Sequence, residues 1–348
     1  MTATEPALGS RRIVELDGLR GIAVLLVLAH HLWPMPRLGI WTPPLGHVGV
    51  SLFFVLSGFL ITGLLLDARG RLAEGRSLRG EFGQFFLRRF LRIVPPYALL
   101  LIAFWVIDVH ASRERWLWHA TYLSNWHLAL DDGLRNQGYD RHLWSLSVEE
   151  QFYLFWPALM LLLPRRLLTP AVLLVFALSP AWRAWFWLGG WHPAMSELPT
   201  PANMDLLAAG ALLALWRGRG AFNWLITVGL VTLPITVVAH GPLENFLLDW
   251  RIAFDRSLLA LSLAGIVGLA ASRSVGLLRF PPLIGVGIIS YAAYLVHTVS
   301  GPSARWLLGD FDNPWLVGFV STSLTLLVAT GSWFALERPL LRLRTRIR

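Results

Sequence analysis

Residues 16–31 read LDGLRGIAVLLVLAHH. The centre, IAVLLVLA, is apolar throughout, yet the ends carry Asp17, Arg20, His30 and His31. A membrane-crossing helix needs about 20 mostly apolar residues, and 13–33 has that length with the charges included. At 3.6 residues per turn, Arg20 and His31 are almost three whole turns apart. They share one helix face, about 16 Å apart along the axis, whereas His30 points about 100° away from His31. Ionisable groups in a span are costly, so each is a functional candidate. A plainer reading is open at this point: Asp17 pairs with Arg20 three residues on, and His31 snorkels outward.

The rest of the chain supports a membrane setting. Of 348 residues, 55% are hydrophobic and 15% charged, and mean hydropathy is +0.56. A soluble domain is nearer 25% charged. The spacing predicts an all-α polytopic protein with about ten spans, at 13–33, 45–66, 93–110, 143–163, 168–188, 202–217, 222–240, 254–272, 282–300 and 315–336. All thirty basic residues are arginine, and the net charge is +9. With the N-terminus inside, twenty of them fall in cytoplasmic loops and tails, and most acidic loop residues fall outside. That bias predicts both termini in the cytoplasm, and it accounts for the net charge without nucleic acid. The absence of cysteine excludes disulfides, thiolate metal sites and a cysteine acyl-enzyme. No metal is expected. The twin arginines near the start are followed by Glu15 and Asp17 rather than an apolar core, so the first span reads as permanent and not as an export signal. The organisation expected is one membrane domain over 1–348, with a cytoplasmic tail 1–12, one long outer segment 111–142 and a basic cytoplasmic tail 338–348. RERWLWHATYLSNWHLAL, inside that outer segment, is rich in Trp and His but too short to span. It should lie at the interface or re-enter the outer face.

Other spans carry ionisable groups at two depths. Near the outer face, Glu149 and Glu150 in WSLSVEEQFYLFWP, Asp205 in PANMDLLAAG and His297 in ISYAAYLVH should cluster with His31. Near the inner face, Arg88, Arg89 and Arg92 in FLRRFLRIVPPY and Glu337 in ALERPL should gather with Asp17 and Arg20. Arg89 and Arg92 share a helix face at i, i+3, as do Arg88 and Arg92 at i, i+4. Arginine clusters hold phosphate with two-pronged contacts, though ordinary cytoplasmic anchoring uses the same residues. Ser145 and Ser147 read as helix N-terminal caps. The pattern suits group transfer across the bilayer: a phosphate-bearing donor on the arginines, a histidine as general base on an acceptor hydroxyl, and a carboxylate steadying the imidazole. Spacing equally allows a proton-coupled transporter or lipid-linked sugar flippase, or a catalytically dead scaffold in an envelope assembly.

Six motifs decide among these. LDGLRGIAVLLVLAHH, GVSLFFVLSGFLIT, FLRRFLRIVPPY, WSLSVEEQFYLFWP, ISYAAYLVH and ERPL stand in this order. The set resembles the integral-membrane acyltransferase type-3 family, which includes bacterial O-acetylases of envelope glycans and macrolide acyltransferases. The match is weakest over 165–280. The resemblance implies transfer of an acyl group, acetyl first, from cytoplasmic acyl-CoA to a hydroxyl of a glycan or glycosylated acceptor, by a multi-pass protein of the bacterial inner membrane. It places the family's R-x10-H element on Arg20 and His31, its R-x-x-R element on Arg89 and Arg92 as donor-phosphate contacts, and its carboxylate on Glu149. Ser51 stands where many relatives have aspartate and is given no role. Some relatives carry an extra outer hydrolase-like domain that this chain lacks, so the membrane domain is expected to finish the transfer or hand the acyl group on. Acceptor identity, envelope-assembly partners and oligomeric state stay open.

Overall fold

The first expected span forms as one helix, α1, Val14–Leu32. Its buried side is Leu16, Leu19, Ala23, Val24, Val27 and Leu28, a helical repeat of small and branched apolar residues. The computed structural model describes residues 12–35, 44–108, 112–131, 138–239, 248–311 and 313–343. Most of the expected tails, 1–11 and 344–348, lies outside the described residues, as do 111 and 132–137 of the expected outer segment.

Among the described residues the regular structure is helical, with no strand. After α1 come α2 (Leu45–Ala73), α3 (Leu78–Ile107), the short α4 (Ser112–Ala120) and α5 (Ser124–Leu130), then α6 (Trp144–Leu162) and α7 (Arg165–Leu188). The short α8 (Pro193–Glu197) precedes α9 (Met204–Trp216), α10 (Gly220–Ala239) and α11 (Leu248–Ser272). Last come α12 (Pro281–Ile288), α13 (Ser290–Leu308), α14 (Pro314–Ser332), a π-turn at Trp333–Glu337 and α15 (Arg338–Leu343). Helices occupy all ten expected spans, but by length and composition six can cross a membrane, and seven if the pair α12–α13, bent by 76°, counts as one. The helices outside that set have physical reasons. Three charges, Glu15, Asp17 and Arg20, sit in α1; Glu149, Glu150 and Gln151 are consecutive in α6; α9 has 13 residues. All three carry candidate site residues, Asp205 being the one in α9.

The bundle is built around α9, whose residues 205–214 are all buried. It lies against α2, and the two backbones approach closely where Gly58 meets the Leu207 carbonyl and Gly210 the Val55 carbonyl. A Cβ at either position would collide with backbone. Small residues at such crossings are how helices pack without a hydrophobic drive between them. This contact fixes the rotation of α2, so that Ser57 turns toward α6.

The segment after α3 folds back as α4 and α5 over α3 and α6. The Tyr97 hydroxyl donates to the His119 carbonyl at 2.9 Å, and Ser124 and Ser147 share a hydrogen bond of 2.8 Å. Asp140 is buried between Arg115 (3.0 Å) and His119 (2.9 Å). Burial alone would raise the Asp140 carboxyl, but the His119 hydrogen bond and the Arg115 guanidinium outweigh it and hold it far below the usual carboxylate range. Trp116, Leu117 and Trp118 remain exposed.

Candidate active site

Two cavities meet inside the bundle. One, of about 1120 Å³, opens at the end that holds Arg12 and Asp17. The other, of about 720 Å³, continues to Ser145, Ser290, Tyr291 and Tyr294. Arg20, Ser57, Arg89, Arg92 and Tyr153 line both. Three guanidinium groups therefore face one space, and with them Glu149, the single carboxyl group lining the second cavity. Neither Arg20 nor Arg92 has a hydrogen bond or ion pair among the described residues. The Arg89 guanidinium lies over the Phe85 and Tyr153 rings, at 5.9 and 5.5 Å from their centroids. The space is thus cationic, and in a low-dielectric surround that is a site for anions.

Glu149 is tightly held. Ser57 donates to one oxygen at 2.8 Å and Tyr153 to the other at 3.0 Å, while the Tyr153 and Ser57 hydroxyls are 3.1 Å apart. The expected two-depth grouping is redistributed accordingly. Glu149 sits with the arginines and not with His31, because α6 begins at Trp144, so Glu149 is more than a turn inside its end. Glu150 faces the other way, toward Tyr97 and Tyr122, with one buried oxygen lacking a partner. Asp205 stays out of the cluster altogether. Arg183 of α7 takes it at 2.7 Å, with Ser257 at 2.7 Å and its own backbone amide held by Ser179. Asp17 binds Arg12 at 2.6 Å and not Arg20. Arg88 lines neither cavity and faces Arg71 and Glu81. Glu337 is buried in the π-turn, accepts from Ser332 at 3.2 Å and lies in the field of Arg92. The expected caps are also corrected: Ser145 and Ser147 donate backward to the His142 and Leu143 carbonyls and accept no first-turn amide.

Beyond Tyr294 lies a layer of imidazoles. The His31 ring is 4.8 Å from His297, and His297 is 4.8 Å from His142. His31 Nδ1 is 2.9 Å from the Val27 carbonyl. A carbonyl can only accept, so in the neutral ring Nδ1 carries the proton and Nε2 the lone pair. The same logic applies to His297, whose Nδ1 is 2.7 Å from the Tyr294 carbonyl and whose buried Nε2 has no partner. His142 has the Tyr139 and Leu295 carbonyls 3.0 and 3.2 Å from Nδ1 and Nε2, of which the neutral ring can donate to one. No group of side chains able to hold a metal ion occurs among the described residues. On its far side His31 lines a separate pocket with Trp33 and Arg305.

The cationic cavity thus holds Arg20, Arg89, Arg92 and Glu149 of the motifs, and the imidazole layer beyond Tyr294 holds His31 and His297. The family model described as an acyltransferase domain, type 3, matches residues 13–334. The chain belongs to the acyltransferase type-3 family. Among its relatives, the peptidoglycan O-acetyltransferase OatA of Listeria monocytogenes is 28% identical, over 83% of this chain and 49% of its own length. The putative peptidoglycan O-acetyltransferase YrhL of Bacillus subtilis is 28% identical, over 95% of this chain and 55% of its own. A putative O-acetyltransferase of Staphylococcus aureus is 26% identical, over 94% and 57%. The chain thus spans about half the length of the curated relatives it matches. No solved structure matches it.

In this acyltransferase-3 chain the geometry adds Ser57, Tyr153, Tyr294 and His142, which the charge pattern of the sequence does not mark. The first three are uncharged residues in apolar motifs, where nothing local marks them. His142 sits one residue outside an expected span. A histidine adjoining an expected membrane helix is the available signal.

Proposed function

We propose that the chain is a membrane O-acyltransferase that moves an acyl group, acetyl first, from cytoplasmic acyl-CoA to a hydroxyl of a glycan. The names of its relatives favour a cell-wall glycan. In this reading all ten expected spans cross or enter the inner membrane, both termini are cytoplasmic, and the Arg12 end faces the cytoplasm. The observation that carries the proposal is the arginine-lined cavity. Arg20 and Arg92 lack partners among the described residues while lining one channel with Arg89. Guanidinium groups that line a low-dielectric cavity with unused donors favour an anionic ligand, and coenzyme A phosphates would supply the anion, with the planar fork giving two contacts per group.

The donor enters at Arg12 and its phosphates dock on Arg89, Arg92 and Arg20. Its thin pantetheine arm extends along the cavity toward Ser145 and Tyr294. Ser57 and Tyr153 fix the Glu149 carboxylate between arginines, which keeps those guanidinium groups apart and oriented. At the other end His31 Nε2 removes the acceptor hydroxyl's proton as its oxygen attacks the thioester carbonyl. The thiolate leaves, and the proton taken by His31 balances it to the thiol. Val27 fixes the tautomer this needs.

His31→Ala should lower acyl transfer by about 10²–10⁴ while the protein still inserts and still binds acetyl-CoA. His30→Ala should be much milder. Radiolabelled acetyl transfer and acetyl-CoA titration on purified protein separate the two. Equal loss from both histidine changes would reduce them to packing.

A further inference from the structure

The donor cavity ends at Tyr294, but the base it serves opens elsewhere. His31 is exposed, and it lines a pocket of about 500 Å³ on the far side of the imidazole layer. Trp33 and Pro34, just beyond α1, form one wall; Arg305 of α13 and Pro314 and Val317 of α14 form the others. Trp33 is fixed in place: its indole donates to Thr322 at 2.9 Å and its ring lies 6.1 Å from Trp315. Arg305 is exposed and has no ion pair or hydrogen bond among the described residues. An indole wall suits the apolar face of a sugar ring, and an unpaired guanidinium suits a carboxylate or phosphate.

We propose that this pocket is the acceptor site, and that it takes a sugar bearing an anionic group, with the hydroxyl to be acylated lying against His31 Nε2 and the anion on Arg305. The assignment rests on the acyl-transfer reading above. The two cavities share no lining residue, so donor and acceptor approach His31 by separate routes and meet there. No bond is made or broken beyond the transfer already written.

The test uses the purified full chain in detergent, acetyl-CoA as donor and two acceptor probes. One is chitopentaose, which is neutral. The other is soluble glycan strands carrying muramoyl carboxylates. Arg305→Ala should raise KM for the acidic strands about tenfold or more, and Arg305→Glu should raise it further. KM for acetyl-CoA should stay within about twofold, and KM for chitopentaose should change little. Val317→Trp, which fills the pocket, should raise KM for both acceptors. Leu327→Ala, on the exposed side of α14, serves as control. Unchanged acceptor KM in the Arg305 variants of an active chain overturns the pocket and leaves the acyl-transfer reading standing. So does reduced membrane retention without a KM change, which would make Arg305 an interfacial anchor. Wild-type protein that transfers acetyl to neither probe overturns both.

Discussion

Arg183 and Arg20 are both arginines flanked by apolar residues in long helices, and the structure treats them in opposite ways. Arg183 is 1% exposed. It donates to the Ala253 carbonyl at 2.9 Å, the Ala202 carbonyl at 2.6 Å, Ser257 at 2.9 Å and Asp205 at 2.7 Å. Its donors are committed, and it ties α7, α9 and α11 together. Arg20 is only partly buried, lines both halves of the channel and bonds to nothing among the described residues. A buried charge whose donors are all used belongs to the architecture. A charge that keeps its donors in an open cavity holds them for a ligand.

The largest effect that could break this contrast is on stability. Arg183→Ala leaves the Asp205 carboxylate buried without its cation, and should cost about 3–5 kcal/mol. Arg20→Ala should shift unfolding far less, yet remove acetyl-CoA binding. Thermal unfolding in detergent beside acetyl-CoA titration reads both; equal destabilisation by the two changes would dissolve the distinction.

Arg115 offers an intermediate case outside the spans, where Asp140 is held by Arg115 and His119. Asp140→Asn should loosen the α4–α5 segment by roughly 1.5–3 kcal/mol, the range for a hydrogen bond to a charged group. Hydrogen exchange at residues 112–130 measures it. The pH dependence follows in sign. A carboxyl held below its unfolded value near 3.9 stabilises fully above that value, and its contribution is lost as pH falls toward the folded pKa. Acidification below about pH 4 should therefore lower the protection factors of residues 112–130 in the wild type but leave those of the asparagine variant nearly level. Parallel acid responses in both proteins would move the effect to another group.

The smallest effect is the most specific. Arg89→Lys and Arg92→Lys keep the charge that anchoring needs but lose the two-pronged contact. Acetyl-CoA affinity should fall by about tenfold, near 1.4 kcal/mol, with insertion unchanged. Arg88→Lys should leave affinity at the wild-type value, since Arg88 lines neither cavity. Equal affinity in all three variants would remove Arg89 and Arg92 from the phosphate site and leave Arg20 to carry it.

Much of the site could be read from residues in a row. The eleven-residue step from Arg20 to His31 fixes their shared face whatever surrounds them, and α1 runs as one helix from Val14 to Leu32. Arg89 and Arg92, expected on one face, line the same cavities. His297 was expected beside His31 and is there. What failed to transfer was partnership. Estimated depth alone places Glu149 and Asp205 beside His31. Depth in a span says how far along the axis a group lies and nothing about which neighbouring helix its face meets. Ser57 and Tyr153 claim Glu149, and Arg183 claims Asp205.

The sequence by itself determined the helices, their apolar faces, the family and the identity of the charged groups, because hydropathy, helical period and motif order are local properties of the chain. Only the tertiary structure decided which charges are spent and which are free. That depends on how α2 rotates against α9 at Gly58 and Gly210, on the 76° bend that sets α13 across the imidazole layer, and on whether a donor from a distant helix arrives within about 3 Å, the reach of a hydrogen bond.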